Sequence, residues 1–140
     1  MLIFFFICIL CAVSIIDART HRIPNIFPIC ICIVAFAKLC LSPGDCFSCL
    51  VGSLFVSLPM LVLACRRGGL GGGDIKLVAA CGLYLGADSI LLAVFLASLL
   101  ALFTQIFLFF YYKFFSKHVH PHTFAFGPFL AIGCIFAALC

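Results

Sequence analysis

Six apolar runs follow one another along the chain, at 2–16, 26–41, 47–65, 75–85, 90–112 and 124–140. Lys38 and Lys76 are the only charged residues inside them. A chain divided this way has little polar surface to offer water. With 67% of residues hydrophobic and 9% charged over 140 residues, it reads as an integral membrane protein. Lipid accepts the apolar side chains, so no large soluble core is needed. The expected fold class is an all-α integral membrane bundle of six transmembrane helices, a single transmembrane domain over residues 1–140.

Two of the runs are short for the task. A straight span takes about 20 residues, whereas at 1.5 Å per residue the fifteen residues of 2–16 reach about 22 Å and the eleven of 75–85 about 16 Å. The flanks must help to cross. Asp17, which ends the first run, and Asp74 with Lys76, at the start of the fourth, are thereby drawn into the membrane rim. Five of the eleven glycines fall between Gly68 and Gly73, immediately before Asp74. Glycine accepts positive φ and lets other backbone approach, which predicts a non-helical Gly-rich loop before helix four. Irregular backbone at membrane depth is tolerated where it is buried in protein or lines a wet cavity. An ionisable residue at that depth is a functional candidate.

The distribution of basic residues supplies an orientation. Arg19, Arg22, Arg66, Arg67, Lys76, Lys113 and Lys117 fall in alternate loops and Lys38 alone lies towards the other side. By the positive-inside rule these loops are cytoplasmic. The first run lacks a basic n-region and a small-x-small cleavage site, so it is expected to stay as a helix, with both chain ends outside. The net charge of +4 is thus a topology signal, and no nucleic-acid partner is implied.

There is no Glu, and orientation sorts the four Asp. Asp45 and Asp88 fall in short outer loops and read as turn or cap residues. Asp17 and Asp74 share the cytoplasmic side. Two carboxylates on one water can hydrolyse a peptide bond, one as base on the water and the other donating to the carbonyl. Held close, they do not both ionise readily, so the pair keeps a proton.

Three segments carry a family resemblance. Asp17 followed by Arg19 and Ile23-Pro24-Asn25, and Gly69-Leu70-Gly71-Gly72-Gly73-Asp74-Ile75-Lys76-Leu77, resemble the two signature segments of the prepilin peptidases. These are GxGD-type membrane aspartyl proteases, also called type IV leader peptidases. The stretch from Phe126 to Gly133 is similar to the family's last patch. The resemblance implies a six-helix aspartic endopeptidase at the cytoplasmic face of the inner (plasma) membrane. It would cut leaders from type IV prepilins or pseudopilins, in pilus assembly or protein secretion, with Asp17 and Asp74 catalytic and Gly69, Gly71 and Gly73 in the active-site loop. Asn25 reads as a cap of the second helix beneath Asp17. Lys76, first a topology anchor, could also act on Asp74 or meet a substrate carbonyl.

Long members of the family carry a cytoplasmic insertion with paired CxxC motifs, associated with zinc and N-methylation. Here only ten residues separate Ile16 from Phe27, without Cys, which resembles the short, peptidase-only branch. No metal and no other cofactor is expected. Cys46 and Cys49 form a lone CxxC, short of a zinc ligand set, and could bridge on the oxidising side. Cys8, Cys11, Cys30, Cys32, Cys40, Cys65, Cys81, Cys134 and Cys140 lie in apolar runs, where Cys behaves as a small hydrophobe. His118, His120 and His122, which could bind a transition metal, read as an exposed loop, as does His21. Two other classes compete. One is a small proton- or cation-coupled transporter using the Asp pair, although no internal repeat points to transport. The other is a non-catalytic assembly subunit, which the intact Asp pair disfavours.

Overall fold

The structure, a computed structural model, describes residues 1–20, 23–42, 44, 46–67, 71–115 and 126–139. Six helices occur among them and no strand: α1 (Leu2–Thr20), α2 (Ile26–Leu41), α3 (Cys46–Arg67), α4 (Gly72–Leu85), α5 (Ala87–Phe115) and α6 (Gly127–Leu139). Each apolar run became a helix. Three helices are long and apolar enough to cross a membrane, at Leu2–Thr20, Cys46–Arg66 and Ala87–Tyr111. Ile26–Leu41 and Gly127–Leu139 are shorter apolar helices. Their outer surface carries large exposed side chains such as Phe4, Ile33, Phe55, Phe95, Phe103 and Phe107. An apolar surface of this extent fits contact with lipid rather than water.

The fourth helix starts earlier than the apolar pattern suggests. Gly72, Gly73 and Asp74 form its first turn, after Gly71 in extended backbone (φ −62°, ψ 125°). The expected non-helical loop therefore does not reach Asp74, while Gly68, Gly69 and Leu70 lie outside the described residues. Asp74 N–H donates to Gly71 C=O at 3.0 Å, closing the turn.

α4 is the centre of the bundle. It packs against α2, α3, α5 and α6, while α1 lies against α2 and α6. Its buried residues, Ile75, Leu77, Val78, Ala80, Cys81, Gly82 and Tyr84, point to several sides, as expected of a helix enclosed by others. Glycine makes the closest approach. A Cβ on Gly82 would lie 2.8 Å from Ser53 Cα and 2.9 Å from the Gly52 carbonyl carbon. Apolar solvation offers little drive between helices in lipid, so such backbone contact supplies much of the packing.

The far end of α4 is closed by three devices. Gly86, at φ 91°, ends the helix with its N–H on Gly82 C=O at 3.0 Å. Its own C=O accepts from Ile90 N–H at 3.1 Å, opening α5, and Ser48 Oγ of α3 accepts from Ala87 N–H at 3.2 Å. Lys38 reaches across from α2 to donate to Tyr84 C=O at 2.7 Å, its Nζ 4.9 Å from the Tyr84 ring centroid. A cation there complements the negative end of the α4 dipole. Phe6 of α1 stacks on the same ring, with centroids 4.0 Å apart.

Pro59 lies inside α3 and Pro128 in the first turn of α6, where the missing N–H costs nothing. The backbone contact at Gly82 yields a test. Gly82→Ala should destabilise the protein by about 1–3 kcal/mol, the usual range for overpacking. A Cβ on Gly72 meets nothing within 4 Å, so Gly72→Ala should leave the melting temperature of detergent-solubilised protein unchanged. Equal melting temperatures for both variants would contradict the packing described.

Candidate active site

Consecutive helices run in opposite directions, so the end of α1 meets the starts of α2, α4 and α6. Asp17, in the last turn of α1, is buried with 4% of its surface exposed. Such a carboxylate needs a donor to replace water. Gly127, the first residue of α6, provides it: its N–H donates to Asp17 Oδ2 at 2.9 Å, across 110 residues of chain. First-turn N–H groups and the positive end of the helix dipole both favour an anion at this position. A Cβ on Gly127 would fall on the Asp17 carboxylate, 2.9 Å from its Cγ. Only glycine brings the α6 N-terminus this close.

Asp74 stands in the first turn of α4, half-buried, at the same end of the bundle as Asp17. The two residues are 57 positions apart in sequence, and the packing of α1 antiparallel to α4 and α6 brings them to one end of the bundle. Both carboxylates face a helix N-terminus, Asp17 that of α6 and Asp74 that of its own helix. The two positive dipole ends reduce the cost of holding a negative charge in a water-poor place.

The glycines bound Asp74 closely. A Cβ on Gly71 would lie 3.1 Å from Asp74 Oδ2, and one on Gly73 would lie 3.0 Å from Ile23 Cβ. Gly71 therefore leaves the carboxylate open, while Gly73 lets the segment entering α2 cross the first turn of α4. Asn25 stands at the N-cap of α2, but its side chain makes no capping bond. Its Oδ1 accepts instead from Lys76 Nζ at 3.1 Å, on the exposed side of α4. Lys76 thus points away from Asp74, as residues two apart on a helix do.

Asp88 opens α5 at the opposite end of the bundle, in the first turn. Gly69, Asp45, His21 and the cluster at His118, His120 and His122 lie outside the described residues. Among the described residues no group of three or more His, Cys, Asp or Glu is placed to hold a metal. The role of Gly127 was not legible in its surroundings. The Phe126-Gly127-Pro128 step marks a helix start, but nothing local names a partner 110 residues away.

A model of the type IV leader peptidase family matches residues 4–106. No curated protein and no solved structure gives a match. The matched span contains Asp17, Asn25, Gly71, Gly73, Asp74 and Lys76 and ends before α6, so the part given to Gly127 rests on geometry alone. Displacing the carboxylate by a methyl group should cost about 1–3 kcal/mol, or roughly 5- to 150-fold in rate if the loss falls on the transition state. Gly127→Ala should therefore lose at least five-fold in peptidase activity at normal membrane abundance, and wild-type activity would remove Gly127 from the site. The match spans most of the chain and both Asp segments, with long apolar helices around them: this membrane protein belongs to the type IV leader peptidase family.

Proposed function

We propose that the protein is an aspartic endopeptidase that removes leaders from prepilin-like or pseudopilin substrates at the cytoplasmic face of the inner membrane. In this reading all six helices cross the bilayer, the short ones with their flanks, and the alternate basic loops face the cytoplasm. One carboxylate of Asp17 and Asp74 takes a proton from a water between them. The other donates to the carbonyl of the scissile peptide bond, and the proton passes to the leaving amine as the tetrahedral intermediate collapses. The substrates are those of the family, with a leader on the cytoplasmic side and an apolar helix in lipid.

One observation carries the reading: Asp17, buried on the α6 N-terminus, and Asp74, in the first turn of α4, lie at the same end of the bundle. Two charges at one end of a largely apolar bundle are costly unless used or paired. Among the described residues, neither is ion-paired with Lys or Arg.

The test is cleavage of a co-expressed prepilin by single variants at matched membrane abundance. Asp17→Asn and Asp74→Asn keep shape and remove the titratable group, so each should lower the rate by at least 100-fold, since groups that work as a unit fail together. Asp88→Asn, at the opposite end of the bundle, should cleave near the wild-type rate. More than a tenth of that rate in either site variant would end the two-carboxylate mechanism.

A further inference from the structure

The helices differ in length, and the difference sorts by side of the bundle. α3 and α5 have 22 and 29 residues, whereas α2, α4 and α6 have 16, 14 and 13. At 1.5 Å per residue the shorter group reaches about 20–24 Å, against about 30 Å for the hydrocarbon core of a bilayer. The two long helices pack on each other, while α1 packs on α2 and α6. Close backbone approaches fix the register. A Cβ on Gly82 of α4 would meet Gly52 and Ser53 of α3, and one on Gly133 of α6 would meet Ala93 and Ala97 of α5. Asp74 precedes Gly82 by eight residues, and Gly127 precedes Gly133 by six. Counted along the antiparallel neighbours, about 12 Å and 9 Å from those contacts, the level of the site falls near Leu61 in α3 and Ala101 in α5.

Both long helices continue past that level. α3 runs six more residues to Arg67 and α5 ten more to Tyr111, about 9 Å and 15 Å. On the other side α1 ends three residues after Asp17, about 5 Å. Burial stops where the count places the site, since Ala101 is the last buried residue described in α5. Beyond it Leu102, Phe103, Ile106, Phe107, Phe109 and Phe110 form a broad face, each 47–70% exposed. Gln105, one turn past Ala101 and so on its side of the helix, puts an amide beside the step. The face closes an apolar segment of 25 residues, Ala87–Tyr111, and is followed by Lys113. Aromatic and basic residues in this order mark a membrane boundary, which makes lipid chains the cover of the face.

We infer that the bilayer is a partner that controls the site: lipid covers the projecting ends of α3 and α5, and the carboxylates lie in a step about 10–15 Å beneath the boundary these ends define. On the short side lipid either thins to meet α1, α2 and α6 or closes over the step. Mismatch grows in cost with its length and is relieved by thinning, tilting or snorkelling. A thin bilayer therefore keeps the step open to the water that hydrolysis consumes. A thick one places both carboxylates in hydrocarbon, where their charged forms are strongly disfavoured. The depth follows from the helices alone, and its effect on cleavage rests on the proposed peptidase reading.

The chain contains no Trp, so Phe103→Trp, close to the level of the site, and Phe110→Trp, near the boundary, each supply a single depth reporter at an exposed position. The full-length variants are reconstituted in phosphatidylcholine vesicles brominated at shallow or at deep positions of the acyl chains. Phe103→Trp should be quenched at least two-fold more by deep than by shallow bromines, and Phe110→Trp the reverse. Wild-type protein is then assayed for prepilin cleavage in vesicles with chains of fourteen, eighteen and twenty-two carbons. The rate should fall at least five-fold from the thinnest bilayer to the thickest. Shallow quenching of both reporters would put the site at the surface and overturn the step. Absence of quenching by any brominated lipid would mean a protein cover, such as a second copy of the chain, and overturn the lipid assignment. Rates equal in all three bilayers, or rising with thickness, would overturn the control. Deep quenching of Phe103→Trp with no cleavage in any bilayer would uphold the step and refute the proposed peptidase.

Discussion

The buried carboxylate of Asp17 is the constraint on which the arrangement depends. A charge at that depth needs a polar partner, and the structure gives it a backbone N–H at the start of α6 rather than a basic side chain. That choice brings no counter-charge into the site, because a backbone donor and a helix dipole stabilise negative charge without cancelling it. It also fixes the architecture. Residue 127 must be glycine for the approach, α6 must pack on α1, and α4 must pass beside both for Asp74 to reach the same place.

The rest of the bundle holds α4 in that position. Gly82 lets α3 lie against it at backbone distance, and Gly86 turns the chain directly from α4 into α5. At the end away from the site, Lys38 ties its last turn to α2 and Phe6 stacks on Tyr84. Restraint at one end therefore positions the carboxylate at the other, about one helix length of 14 residues away.

Much of this was legible in the sequence because the pattern is coarse. Apolar runs bounded by charges identified six helices, and the alternation of loops placed Asp17 and Asp74 at one end. The start of α4 was misplaced by three residues, since Gly72, Gly73 and Asp74 have the composition of a loop but occupy a helical first turn, where glycine is tolerated. Lys38 read only as the odd cation on the far side, and Asn25 as a cap. Their partners, Tyr84 and Lys76, are 46 and 51 residues away. Contacts of that range depend on how helices rotate about their axes, which the weak amphipathicity of lipid-facing helices does not encode locally. The hydrogen bond between Gly127 and Asp17 is hidden for the same reason.

In the proposed mechanism two carboxylates share one proton and one water. The most direct measurement is the pH dependence of kcat/KM for prepilin cleavage by the wild-type protein. If one carboxyl must be ionised to act as base and the other protonated to act as acid, the profile should be bell-shaped, with an acid and an alkaline limb that belong to the pair rather than to either residue. A profile with a single limb across the range in which the protein stays folded would contradict the account.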